Sequence, residues 1–245
     1  MSEILNSQLA NESLSRRPLL VGMAALALGA PASHSNTANS AGKLAPIIYN
    51  VDTSKKQLAF TFDDGPWPKN TKTIMNHFKS FGLEGQATFF QIGNNIKSFE
   101  DITEEAVDRG YEIGNHSMSH IYNPYQIAKE IKPTQDLLAD IGVETNLFRS
   151  PGLTRGNIIQ QKLARLGMVN VFTDYDIGDW KSPRISSKEI QKRTLRSIHK
   201  GSIVLLHDAA DHQNTVQAIP RILDIVLSRG YQVVKAGDLI NKSIN

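Results

Sequence analysis

Leu58-Ala59-Phe60-Thr61-Phe62-Asp63-Asp64-Gly65-Pro66 decides how this chain is read. Its first five residues are apolar, aromatic or β-branched, the composition of a short buried strand, and the run stops at an Asp-Gly-Pro turn signal. Two carboxylates therefore stand at a strand's end. Burying adjacent acids beside an apolar strand is costly unless a cation, a metal or a proton neutralises them, so a partner has to come from elsewhere in the chain. Taken alone, the same letters also fit a polar turn in which an Asp caps a helix starting near Lys69.

Outward from this stretch, strand and helix patterns alternate. Pro46 to Asn50 reads as a short strand before it, and a helix from about Asn70 to Phe81 follows, with Ile74, Phe78 and Phe81 on one stripe. The strands Ala87 to Ile92, Tyr111 to Asn115, Thr145 to Arg149, Val169 to Thr173, Ile203 to Leu206 and Tyr231 to Val234 come next. Between them lie helices over Ser98 to Arg109, Tyr125 to Ile141, Asn157 to Leu166, Glu189 to His199 and Val216 to Leu227. Such alternation predicts parallel βαβ units. About seven of them predict an α/β fold, a distorted or incomplete (β/α) barrel, with an open doubly wound sheet as the second choice. No Gly-rich phosphate loop follows any strand.

In either architecture ligands gather at the carboxyl ends of the strands. Asp63 and Asp64 end one strand, His116 and His120 follow another, Arg149 ends a third, Asp176 and Asp179 follow a fourth, and His207 ends a fifth. All fall on one rim, which is the main argument for an enzyme. His116 and His120 are four residues apart, a spacing that brings both rings to one side of a helical turn or tight loop. With the Asp64 carboxylate they make three protein ligands, leaving positions open on a zinc-like ion for water and substrate. The same triad suits non-haem iron, and ligand count does not separate the two.

Composition narrows the classes further. The chain has 245 residues, 40% hydrophobic and 21% charged, enough for one catalytic-size domain. A net charge of +3 is no nucleic-acid signature. The densest basic segment, Lys188 to Lys200, reads as a solvated helix face whose start carries a Ser186/Glu189 capping box. With no cysteine, any metal must be held by His and carboxylates. At the amino terminus, Arg16 and Arg17 precede an uncharged Ala/Leu-rich run and the small-x-small site Ala30-Pro31-Ala32. Residues 1–32 are thus expected to be a signal peptide of the twin-arginine type, implying that export machinery and a periplasmic or secreted location. An ordinary secretory signal, or a membrane anchor, is the alternative. Residues 33–45 read as a flexible linker and residues 46–245 as the catalytic domain.

Thr61 to Pro66, Ala87 to Phe90, Gly114 to His120, Arg149-Ser150-Pro151, Asp176 to Trp180 and Leu205 to Asp208, in that order, resemble the successive motifs of the polysaccharide deacetylases. That family is carbohydrate esterase family 4, or the NodB-homology domain. The resemblance implies a distorted barrel and metal-dependent removal of N-acetyl groups from a chitin-like or peptidoglycan polymer. An O-acetyl esterase, or a catalytically silent glycan-binding module, is the alternative. It implies Asp64, His116 and His120 as metal ligands, Asp63 as catalytic base and His207 as general acid. Arg149 would orient Asp63, and Asp179, favoured over Asp176, would hold His207. The metal would be zinc, with cobalt or nickel as substitutes; the partner would be the glycan alone.

One motif departs from the pattern. Where the family usually reads Arg-x-Pro-aromatic-Gly, this chain has Arg149-Ser150-Pro151-Gly152-Leu153. Gly152 still offers a backbone N–H to an oxyanion, but the aromatic wall is missing. Trp67 is a candidate replacement, or a partly buried structural residue. Trp180 and Leu205 complete the expected substrate side; His212, near His207, is placed to touch substrate but reads more readily as a loop residue.

Overall fold

The central strand, β2 (Gln57–Gly65), runs three residues past its apolar stretch, through Asp63, Asp64 and Gly65. The computed structural model describes residues 42–181 and 184–241. The expected signal peptide, residues 1–32, and most of the expected linker, residues 33–41, lie outside them. Ala45, the last residue assigned to that linker, is buried and its N–H donates to the Gln160 carbonyl at 3.0 Å, so the folded unit begins slightly earlier than expected.

In chain order the strands and helices are β1 (Ile47–Ile48), β2, α1 (Pro68–Ser80), β3 (Thr88–Gln91), α2 (Gly93–Ser98), α3 (Glu100–Asp108), β4 (Glu112–Asn115) and α4 (Pro124–Asp140). These continue through β5 (Leu147–Phe148), α5 (Asn157–Arg165), β6 (Val169–Val171), α6 (Ser187–Ser197), β7 (Ile203–His207), α7 (Gln213–Ser228), β8 (Gln232–Val234) and α8 (Ala236–Asn241). Every strand pairing is parallel, in the order β1-β6-β5-β4-β3-β2-β7. β8 pairs with the start of β2, on the edge that β3 takes further along. The two ends of this order meet. Asn50, just past β1, bridges Ser202, and the Val51 N–H donates to the Gly201 carbonyl at 2.9 Å. Gly201 has φ +80°, and a Cβ there would fall 1.7 Å from the Val51 oxygen, so only glycine permits this seam. The expected distorted (β/α) barrel is what forms.

Strand periodicity sorts the core into layers. Ala59, Phe90, Leu147, Val171, Ile203 and Val234, one from each of six strands, pack together as the barrel interior. Leu58, Phe60 and Phe62 point the other way, against Ile74, Met75 and Phe78 of α1 and Ile219, Ile222 and Leu223 of α7. Phe78 is the hub of this outer layer, edge-on to Phe60 and Phe62 at 6.0 Å and to Tyr111 at 6.5 Å.

Several boundaries differ from the periodicity reading. The helix expected over Ser98 to Arg109 is α3, which starts at Glu100; the unexpected α2 precedes it, separated by Phe99 (φ −142°), whose ring packs on Trp67. α2 and α8 span six residues each, too few to show a helical period. Trp67 precedes α1 without a side-chain cap, so neither Asp caps that helix. In the Ser186 capping box one arm forms, Ser186 Oγ accepting from the Glu189 N–H at 3.2 Å; the Glu189 carboxylate turns instead to Arg193 at 2.9 Å. Among the described residues no helix is long and apolar enough to cross a membrane.

Truncating the hub should leave a cavity that rigid strands cannot close. Phe78→Ala is expected to lower unfolding free energy by about 3–5 kcal/mol, read from the urea midpoint at unchanged slope; a loss under about 1 kcal/mol would refute the packing described.

Candidate active site

Consecutive residues of a regular strand point to opposite faces, so Asp63 and Asp64 should not share a site. They do because the β2–β3 register slips between Asp63 and Gly65, and Asp64 takes φ +74°. Asp63 keeps the inward direction set by Ala59 and Thr61; Asp64 is turned to the rim. Gly65 then passes so close to Asp208 that a Cβ would lie 2.5 Å from its Oδ2.

His116 and His120 do not sit on a helical turn. They belong to a loop after β4 in which Ser117 and His120 both adopt positive φ, 63° and 54°. The loop is pinned from α4 by Glu130, which accepts from the N–H groups of Met118 (3.0 Å) and Ser119 (2.9 Å) and from Ser119 Oγ (2.6 Å). His116 Nε2 and His120 Nε2 approach Asp64 Oδ1 at 3.3 and 3.1 Å. That oxygen is buried without a hydrogen-bond partner. His116 Nδ1 lies 2.8 Å from the Arg149 carbonyl, which only accepts, so the ring's proton sits on Nδ1 and its lone pair on Nε2. The donor atoms of Asp64, His116 and His120 all lie within 4.8 Å of one another. An orphaned carboxylate oxygen facing two imidazole nitrogens is a donor set that fits a divalent cation. Burial pushes the Asp64 carboxyl up, and the two neighbouring imidazoles more than reverse this, leaving it well below the usual carboxylate range.

Arg149 is fully buried in the barrel. Its guanidinium donates to Asp63 Oδ1 (2.7 Å), Thr61 Oγ1 (2.7 Å) and the Val171 carbonyl (2.8 Å) and lies 4.2 Å over the Phe90 ring. Asp63 is thus tied through one oxygen. Across the cleft, Asp179 Oδ1 lies 2.8 Å from His207 Nδ1, while its Oδ2 accepts from the His207 N–H and from Thr215 Oγ1. Burial alone would lower the His207 pKa; the Asp179 charge, with smaller help from Asp64 and Asp63, raises it to about 9. Asp176, the alternative partner, instead accepts from Trp180 Nε1 at 3.0 Å. The next residue along, Asp208, is pushed up to about 7 by burial, with Thr71 Oγ1 donating to its Oδ2.

These groups open on a single cleft of about 580 Å³, whose walls include Asp63, Asp64, His116, His120, His207, Gly152, Leu205 and Trp180. Arg149 and Asp179 stand behind it, and Trp67 is not part of it. The Trp67 ring packs edge-on to Phe99 at 5.3 Å, a structural contact. A second cleft, of about 590 Å³, is lined by Tyr111, Glu112 and Lys235 and gathers no histidine.

Two further residues of the site, Glu130 and Tyr122, escaped the sequence reading. Glu130 carries no motif and reaches the loop only through the fold. Tyr122 is 63% exposed, lines the cleft and stands edge-on to His120 at 5.3 Å. Its ring fills the space beside Gly152 (φ +57°), where a Cβ would meet Tyr122 Cε1 at 2.7 Å. The aromatic missing from the Arg149 motif is thus matched by one from the histidine loop, a trade visible only in three dimensions. His212, read as a loop residue, is buried and lines the cleft.

Known proteins resemble this chain in sequence and fold. Residues 50–171 match the family model for polysaccharide deacetylase. Two Bacillus cereus proteins, each named peptidoglycan-N-acetylglucosamine deacetylase, are 29% and 31% identical, over 79% and 78% of this chain and 92% and 72% of their own lengths. The crystal structure of a peptidoglycan N-acetylglucosamine deacetylase superposes with a TM-score of 0.74 at 26% identity, covering 80% of this chain and 92% of that one. Likeness this broad in both sequence and barrel means that the chain belongs to the polysaccharide deacetylase family.

Proposed function

We propose that the protein is a metal-dependent hydrolase that removes acetyl groups from N-acetylglucosamine units of a peptidoglycan or chitin-like glycan. The observation carrying this reading is the convergence on one cleft of a three-donor cation site, a carboxylate with one oxygen tied and one free, and a carboxylate-held histidine. Binding alone needs no such set. The relatives' names point to peptidoglycan as the polymer.

A divalent cation held by Asp64, His116 and His120, zinc on this reading, would polarise the acetyl carbonyl and make a nearby water more acidic. Asp63 accepts that water's proton. Its Oδ1 is occupied by Arg149, which leaves Oδ2, 3.8 Å from His116 Nε2, as the receiving atom. Arg149 holds the carboxylate in place. The Gly152 N–H faces the developing oxyanion. An amine is a poor leaving group until protonated. His207, whose Nδ1 is engaged by Asp179, delivers the proton from Nε2. Tyr122 and Trp180 supply apolar walls for a sugar ring, and Leu205 lies beneath the acetyl methyl.

Residues 1–32 are proposed as a twin-arginine export signal that takes the enzyme to the periplasm or outside the cell. Amino-terminal sequencing of the exported protein is expected to begin at Ser33; an uncleaved protein retained in the cytoplasm would refute this.

Acetate release from chitooligosaccharides or peptidoglycan fragments should stop with a chelator and return with zinc or cobalt. Asp63→Asn should lower kcat by about 10²–10⁴-fold; activity equal to the parent's would remove Asp63 from its role, and release confined to acetylated xylan would mark an O-acetyl esterase.

The acid must be protonated to act, so activity falls as pH rises through the His207 pKa. Removing the Asp179 charge removes the main support of the imidazolium. Asp179→Asn is therefore expected to move the basic limb of kcat/KM to lower pH by about one unit or more; an unmoved limb would dissociate His207 from that limb.

A further inference from the structure

His212 closes one side of the cleft at the start of α7, and the steps above give it no work. It is 4% exposed, and its ring lies on that of His207, centroids 5.2 Å apart and planes 20° from parallel. Neither ring nitrogen has a hydrogen-bond partner among the described residues. Nδ1 lies 2.9 Å from Asp211 Oδ1, out of hydrogen-bond alignment, and Asp211 is itself paired with Arg184. Buried polar atoms left unpaired are costly and uncommon, and in a cleft wall they mark where a ligand's polar group belongs.

The ring's protonation decides which kind of group that is. Burial, and then the neighbouring His207, push the His212 pKa down, so the imidazole is neutral, with one donor nitrogen and one acceptor. The Asp211 carboxylate beside Nδ1 favours the proton there, leaving Nε2 as an acceptor. A sugar offers such an acceptor its hydroxyls, and those next to the acetamido carbon are the donors nearest to a nitrogen approached by His207.

We propose that His212 is a substrate-binding residue, accepting a hydrogen bond from a hydroxyl of the same sugar whose acetyl group is removed. This rests on the deacetylase reading and adds to it a contact specific for the carbohydrate. Stacked on the general acid, His212 fixes the sugar in register with the proton donor.

The decisive comparison is His212→Phe, which keeps an aromatic ring on His207 but has no nitrogen. Its KM for N-acetylchitotetraose, and the calorimetric Kd of the same oligosaccharide for metal-depleted protein, are both expected to rise about tenfold, the worth of one hydrogen bond. kcat should shift far less, and the basic limb of the pH profile should stay in place. His212→Gln, which retains an acceptor, should recover part of the affinity and serves as the second probe if the Phe variant melts early. Parent-like KM and Kd in His212→Phe would reduce His212 to packing, and a loss confined to kcat with a displaced basic limb would make it act through His207. Either result overturns the proposal while the deacetylase reading stands. A parent protein that neither binds nor cleaves any acetylated glycan would instead sink that reading, and the His212 contact with it.

Discussion

The ion pair between Arg149 and Asp63, sealed inside the barrel, is the interaction on which the rest of the site depends. A guanidinium with no exposure loses its hydration, and burial accordingly lowers its pKa, an effect that Asp63 partly offsets. Such a pair adds little net stability compared with an apolar pair of the same volume, yet removing one partner strands the other at a cost of about 3–5 kcal/mol. What it supplies is geometry. Arg149 leaves β5, spans the barrel to Thr61 and Asp63 on β2, reaches the β6 carbonyl of Val171 and covers the β3 ring of Phe90. Its own carbonyl meets His116 Nδ1 and so sets that ring's tautomer. One residue therefore fixes the carboxylate proposed to take a proton and the imidazole proposed to present a lone pair.

Backbone irregularity does the rest of the positioning. Asp64, Ser117 and His120 all lie at positive φ, a region that side chains other than glycine enter rarely and at a cost. Each is held there by its surroundings: Asp64 by the slipped β2–β3 register, with Asn95 Nδ2 on its carbonyl, and the histidine loop by Glu130 and by Asn115 Oδ1 on the Ser117 N–H. Stability surrendered locally becomes the convergence of three donor atoms.

The fold was legible because its signals are periodic. Alternating apolar runs and helical stripes predicted the strand–helix order, and the carboxyl-end rule placed Asp63, Asp64, His116, His120, Asp179 and His207 on one rim before any coordinate. What failed to show depends on contacts between distant segments. The strand's continuation through Asp63, Asp64 and Gly65 was hidden because Asp-Gly-Pro reads locally as a turn, whereas β7 pairs it as far as Asp63 and β3 as far as Gly65, across the slip at Asp64. Glu130 looks like any helix-surface acid until the loop folds over it. Trp67 adjoins the carboxylates in sequence, which left a cleft wall and a structural residue as equal readings; the helix start carries its ring to Phe99, the structural one.

The exchange between Gly152 and Tyr122 has a consequence for how such a cleft changes over time. The peptide N–H proposed to face the oxyanion belongs to one loop, and the ring beside it belongs to another. Recognition and chemistry are thereby uncoupled at the level of the chain. On the proposed function, change at the Tyr122 side chain alone re-shapes which glycans are welcomed while the Gly152 backbone and the histidines of the tyrosine's own loop stay in place.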